Sequence, residues 1–333
     1  MKRRMFKMMA AVTMTMAGAV FGTTAMADEQ VVLTYAEVNN IDSQDAQVAE
    51  YFKERLEELT EGAVTIDIQS GGVLGSENDI VDGMVGGIGT VDMARISCSM
   101  LSNYNATLST LLTLPYVIES RDHYYKVIET ELGERIMNEP QELGLGIRGV
   151  FMLEEGFRDF FFTENIEGID DFKNLKIRVN SDPILTGIVE NLGANPTVIS
   201  SSEVYTSLQS GVVDGADQPF TLYETQVFYE VAPTLLRDDH VCSASEVVIT
   251  DSAIDKLTEE QKEALYVAGE EASQYSKELA EEMEKDCAER LQEKGVNIID
   301  VEDKTPYQEA CASIVEKYTA DYPDEYEIIK NAK

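Results

Sequence analysis

Hydrophobic and polar positions alternate with two different periods along the first part of the chain. VVLTYAEV (31–38) is a run of β-branched and aromatic residues and predicts a strand. Asp42-Ser43 then opens a segment where Val48, Tyr51, Phe52, Leu56 and Leu59 recur at helical spacing, stopped by Thr60-Glu61-Gly62. VTIDIQ (64–69) returns to the strand pattern, and after the turn SGGVLG, Ser76 with Asp79 caps a Gly-rich helix leading to a third strand, VDMA (91–94). This β-α-β-α-β order predicts a mainly parallel sheet covered by helices, a doubly wound α/β unit.

A helical region spans 121–142, IRGVFML (147–153) reads as a buried strand, and EEGFRDFF begins a new element. In LKIRVN (175–180), Leu175, Ile177 and Val179 alternate with Lys176, Arg178 and Asn180, as in a strand with one buried face. Helix 184–192, strand PTVI, helix 203–209 and strand VVDGA repeat the alternation as a second α/β domain. VCSASEVVIT (241–250) crosses back as a strand. Thr258 and Gln261 form a capping box for a long helix reaching about residue 294, followed by the strand NIID and a final helix. The expected division is 28–154 with about 243–285 as domain I, and 155–242 with about 286–333 as domain II. More than one crossing between them makes a hinge.

The first 27 residues differ from the rest. Lys2, Arg3, Arg4 and Lys7 lead into an apolar run ending Ala25-Met26-Ala27, a secretory signal with an A-x-A cleavage site. Of 26 Lys and Arg residues four lie in that segment, so the exported chain carries 22 against 62 Asp and Glu. This balance argues against nucleic acid as a partner, and an anionic ligand would need local, oriented cations. Cys98, Cys242, Cys287 and Cys311 show no C-x-x-C spacing; Cys287 and Cys311 are candidates for a disulfide, with free buried thiols the alternative.

Catalytic constellations are scarce. Gly144-Leu-Gly146-Ile-Arg-Gly149 has a helix before it and a strand after it, the reverse of a dinucleotide fingerprint, and reads as a turn. His123 and His240 are the two histidines, without a metalloprotease, nucleophile-elbow or P-loop motif around them. The acidic doublets at 154, 238, 259, 270 and 281 read as solvated faces. Arg158 in GFRDFFF and Arg178 in its strand each suit an ion pair as well as a ligand; beside a cleft, their planar forks would grip a carboxylate. Val213 to Pro219 reads as a strand running into a turn that presents Gln218.

EEGFRDFF, LKIRVNSDP, LGANPTVISSSEVYTSLQSGVVDGADQP, GGVLGSENDIVDGMVGGIGTVDMA and LPYVIESRD together resemble the extracytoplasmic solute-binding proteins of tripartite ATP-independent periplasmic (TRAP) transporters, the C4-dicarboxylate-binding-like family. The resemblance runs over nearly all of residues 30–330. It implies a two-domain periplasmic-binding-protein-like (type II) fold with hinge strands and a long bracing helix. It also implies that Arg178 pairs with a ligand carboxylate, that Arg158 is the second site arginine, and that Gln218 stands where the family has Asn, reaching one methylene further. Arg95, Ser97, Asn39, Asn40, Glu77, Phe220, Tyr223 and His240 complete the candidate ligand-binding set. The function implied is transport rather than catalysis: a monomer without cofactor or metal that binds a small organic acid, a uronate or other sugar acid or a C4-dicarboxylate, and delivers it to large and small membrane subunits. An exported enzyme, with His240 or Glu77 as base, and a ligand sensor are the alternatives.

Overall fold

The computed structural model describes residues 30–333; the segment expected to be a secretory signal lies outside them. The first lobe opens with strand β1 (Val31–Ala36), helix α1 (Gln44–Leu59), β2 (Val64–Gln69), α2 (Glu77–Val85) and β3 (Met93–Ser97). Ser43 caps α1 by accepting from the Ala46 amide, and Ser76 and Asp79 form a reciprocal capping box on α2, as their spacing predicts. The third strand starts two residues later than expected because Asp92 is occupied otherwise: its carboxylate accepts from the Thr34 amide at 2.9 Å and from Lys256 at 2.8 Å. The region 121–142 divides into α3 (Arg121–Ile128) and α4 (Glu131–Glu142), with Thr130 as the new cap. Gly144 and Gly146, both at φ +72°, turn the chain into the next strand, so the G-x-G-x-x-G is a helix-to-strand turn.

That strand differs from its expected extent. β4 (Ile147–Phe162) is one continuous 16-residue strand, where the sequence suggested a break at Glu154. It pairs antiparallel with β8 (Thr234–Thr250), and register shifts at Gly149/Phe151, Glu154/Phe157 and Arg158/Phe160 bend the pair while keeping it bonded. β8 begins seven residues before the expected 241, because Asp238 and His240, which break the apolar pattern, are buried with polar partners. Between them lie β5 (Lys176–Val179), α5 (Pro183–Asn191), β6 (Asn195–Val198), α6 (Val204–Gln209), β7 (Gly215–Pro219) and α7 (Phe220–Thr225), the second lobe. The expected turn at 217–219 is strand: Gln218 pairs with Asp159 across β7 and β4. A single sheet results, ordered β2-β1-β3-β8-β4-β7-β5-β6. Its flanks are parallel and its centre, β3-β8-β4-β7, antiparallel.

α8 (Asp251–Ile254) leads to the bracing helix, which is shorter than expected. α9 (Glu259–Glu284) ends where Asp286 adopts φ +58°, and α10 (Cys287–Glu293) follows as a separate helix. Small residues at four-residue spacing, Ala264, Ala268, Ala272, Ser276 and Ala280, form the buried stripe of α9. They let it lie close against β4, where a Cβ on Gly269 would come within 3.0 Å of the Phe151 ring. Tyr275 stacks on Tyr51 of α1 at 4.2 Å. β9 (Asn297–Asp300) adds in parallel to β8, and Pro323 divides the expected final helix into α11 (Thr305–Thr319) and α12 (Pro323–Asn331). All four cysteines are free and buried; Cys287 donates to Glu224 at 3.2 Å in place of the disulfide considered with Cys311.

Candidate functional site

A pocket of about 810 Å³, mouth included, opens between the two lobes. The C-terminal ends of β3, β5 and β7 and the bend of β4 converge there. With the segment after β1 and the start of α2, they bring together Arg178, Arg158, Gln218, Arg95, Ser97, Asn39 and Glu77 from the sequence-derived set.

Arg178 is 1% exposed, held by Ile177 and Val179, which bury the other face of β5. Its Nε donates to the Ile199 carbonyl at 2.8 Å, while its Nη1 is buried without any partner. Among the described residues, no carboxylate is within ion-pair distance of it. Burial lowers its pKa to about 10, Asp217 opposing that shift and Arg158 adding to it. Removing a guanidinium from water without a counter-charge is costly, so an anion that completes its shell is strongly favoured.

Arg158 has a different arrangement. Its Nε donates to the Asp217 carboxylate at 2.5 Å and its Nη2 to the Asp217 carbonyl at 2.7 Å. Despite burial, Arg158 and His240 together hold the Asp217 carboxyl far below the usual carboxylate range. His240 lies behind this pair, its Nδ1 at 2.9 Å from Asp238 and its Nε2 at 3.3 Å from Asp217. The two carboxylates outweigh burial and raise its pKa to about 9. His240 therefore supports Arg158 from outside the pocket, and both ring nitrogens are engaged, which leaves neither free as a base. Gln218, 5% exposed, lines the pocket.

The first lobe supplies the opposite wall. Arg95 binds Glu37 through Nη2 at 2.8 Å and Nε at 3.2 Å, with Asp45 at 3.6 Å and Glu155 at 3.5 Å. All four side chains are buried, and burial raises the pKa values of Glu37 and Asp45. Asn39 donates to Asp45 at 2.5 Å, Ser245 donates to Glu155, and Glu77 accepts from the Ser97 amide.

Besides His240, three of the anticipated residues lie outside the pocket lining. Asn40 donates to the Thr225 carbonyl at 3.0 Å, bridging the lobes beside the pocket. Phe220 packs in the second lobe with the Arg237 guanidinium 4.6 Å from its ring centroid, and Tyr223 is fully buried with its hydroxyl on the Ala232 carbonyl at 2.8 Å. Sequence reasoning missed Glu155, Asp217 and Asn180. Asp217 adjoins Gln218 in the same strand and was open to discovery on that ground. The doublets at 154 and 238 read in the sequence as solvated faces, yet Glu154, Glu155 and Asp238 are buried, and Glu154 pairs with Arg121. Asn180 follows Arg178 by two residues, just past the end of β5, and its Oδ1 is buried without a partner among the described residues.

Comparisons with known proteins agree with this geometry. The family model described as bacterial extracellular solute-binding protein, family 7, matches residues 35–321. The 2,3-diketo-L-gulonate-binding periplasmic protein of Escherichia coli is 26% identical, over 94% of each chain. A TRAP periplasmic solute-binding protein of Xanthobacter autotrophicus, solved with bound β-D-galacturonate, superposes with a TM-score of 0.84 at 26% identity, covering 90% of this chain and 98% of that one. Another from Roseobacter denitrificans, solved with L-galactonate, gives 0.81 at 29% identity, covering 91% and 99%. The chain belongs to family 7 of the bacterial extracellular solute-binding proteins, the TRAP-type receptors its sequence resembles, and is a binding protein rather than an enzyme.

Proposed function

We propose that the protein is exported by cleavage near Ala27, binds a sugar acid of the uronate or aldonate type between its lobes, and passes it to the membrane subunits of a TRAP transporter. The observation that carries this reading is the buried guanidinium of Arg178 with an unpartnered Nη1 facing a pocket. A ligand carboxylate supplies the missing counter-charge through two parallel charge-assisted hydrogen bonds. Gln218 and Arg158, the latter fixed by Asp217, flank that carboxylate; Arg95, Ser97, Asn39 and Glu77 meet the rest of the ligand. Asn40, Phe220, Tyr223 and His240 act by shaping the walls. The galacturonate, galactonate and diketogulonate named for the relatives are all oxygen-rich monocarboxylates, which supports the same class here. Closure of the lobes about β4 and β8 then excludes water and strengthens each polar contact.

A thermal-shift screen of uronates, aldonates and C4-dicarboxylates tests the reading, since a ligand at concentration [L] stabilises by RT ln(1 + [L]/Kd). A sugar acid is expected to raise Tm in proportion to log concentration. Arg178→Ala should weaken that ligand by about 2–5 kcal/mol, at least about 30-fold, in calorimetry. Full affinity in the variant would refute the assignment of Arg178.

A further inference from the structure

The two walls of the pocket carry opposite charge balances, and the carboxylate-rich wall bears on what the far end of a ligand can be. On the second-lobe side, Arg158 is neutralised by Asp217 while Arg178 has no carboxylate partner. On the first-lobe side, Arg95 is surrounded by Glu37, Asp45 and Glu155, with Glu77 also lining the pocket. Formally, one guanidinium faces four carboxylates there. Arg95 commits its Nε and Nη2 to Glu37, and Asp45 and Glu155 lie 3.6 and 3.5 Å from its Nη2 and Nη1, so its charge is already outweighed where a second carboxylate would approach. Glu155 is the member of the cage that also lines the pocket. One of its oxygens accepts from Ser245 and lies near Arg95. Its remaining capacity is for acceptance, suited to a hydroxyl donor and opposed to an anion.

Resting on the sugar-acid reading above, we infer that Glu155 is a specificity-determining residue: steadied by Arg95, its carboxylate accepts from hydroxyl groups at the end of the ligand opposite Arg178 and rejects a second carboxylate there. The protein is therefore selective for monocarboxylates with a hydroxylated far end, and diacids of the same carbon skeleton are excluded by like-charge repulsion in a poorly solvated site. Burial raises the pKa values of Glu37 and Asp45, and the nearby charge of Glu155 adds to both rises.

Galactarate, the diacid counterpart of both D-galacturonate and L-galactonate, is the decisive probe. Calorimetry on the wild-type protein should give a galactarate Kd at least about 100-fold above that of the tighter of the two monoacids. Glu155→Gln, an isosteric change, should narrow that ratio by at least about tenfold, whatever it does to monoacid affinity. Equal wild-type affinity for galactarate would overturn the inference while leaving the receptor function intact. An unchanged ratio in the variant would remove Glu155 as the determinant. Binding of no sugar acid at all would instead defeat the underlying assignment of ligand class. Should Glu155→Gln fail to fold, the wild-type ratio still decides between a selective and an indifferent pocket.

Discussion

Arg178 and Glu246 are both buried ionisable residues with unpartnered side-chain atoms, and their consequences are opposite. The unpartnered Nη1 of Arg178 faces a pocket, where a ligand can satisfy it. Glu246 on β8 is fully buried, neither oxygen is hydrogen-bonded, and burial raises its pKa to about 8, with Glu139 adding to the rise. Between the ordinary value near 4.5 and 8 the unfolded chain has lost this proton and the folded one retains it. Stability therefore falls with pH across that window, by at most about 1.4 kcal/mol per pH unit. Glu246→Gln removes the ionisation, so its chemical denaturation midpoint should exceed that of the wild type increasingly from pH 5 to 8; parallel pH profiles would contradict this assignment. His240 contributes in the same direction: its raised pKa adds stability that is complete below about 6.5 and lost as pH rises through about 9.

At the scale of elements, β4 and β8 do most to create the site. Both run through the bend between the lobes, and their paired bulges turn Arg158 toward the pocket while Phe157 and Phe160 stay on other surfaces. Close packing of α4 on β4 depends on Gly149: a Cβ there would lie 2.7 Å from Met137 Cβ, 2.9 Å from Met137 Cα and 2.4 Å from a Glu246 oxygen. Gly149→Ala should cost about 1–3 kcal/mol in equilibrium unfolding, because α4 has to lift from the sheet; a neutral effect would mean that the helix is loosely seated. The short flanking strands were legible from their alternation and caps. The hinge strands were not, since a strand buried on both faces has no period of two, and polar residues inside it read as loop until their partners are known.

Across the whole molecule, a formal charge of −36 surrounds a site that takes an anion. The long-range field opposes approach, and only contacts at a few ångströms favour binding. Raising ionic strength from about 10 to 150 mM shortens the Debye length from about 30 to 8 Å. The association rate for a sugar acid should therefore rise with salt in stopped-flow measurements, contrary to steered binding; a falling rate would show that the pocket's own cations dominate the encounter. Domain closure belongs to the same scale: the Asn40 bridge to Thr225 and the Ser99 contact to Asp182 already join the lobes on either side of the pocket.

By itself the sequence determined the local elements, because periodicity and capping act within a few residues. Through the order of its motifs it also determined the family and the prominence of Arg178, Arg158 and Gln218. Only the tertiary structure decided which of these cations is free. Arg158 and Arg95 look equivalent to Arg178 in the chain, yet Asp217, 59 residues from Arg158, and Glu37, 58 from Arg95, neutralise them. Net charge at a site is a sum over neighbours in space, and those neighbours come from strands far apart along the chain.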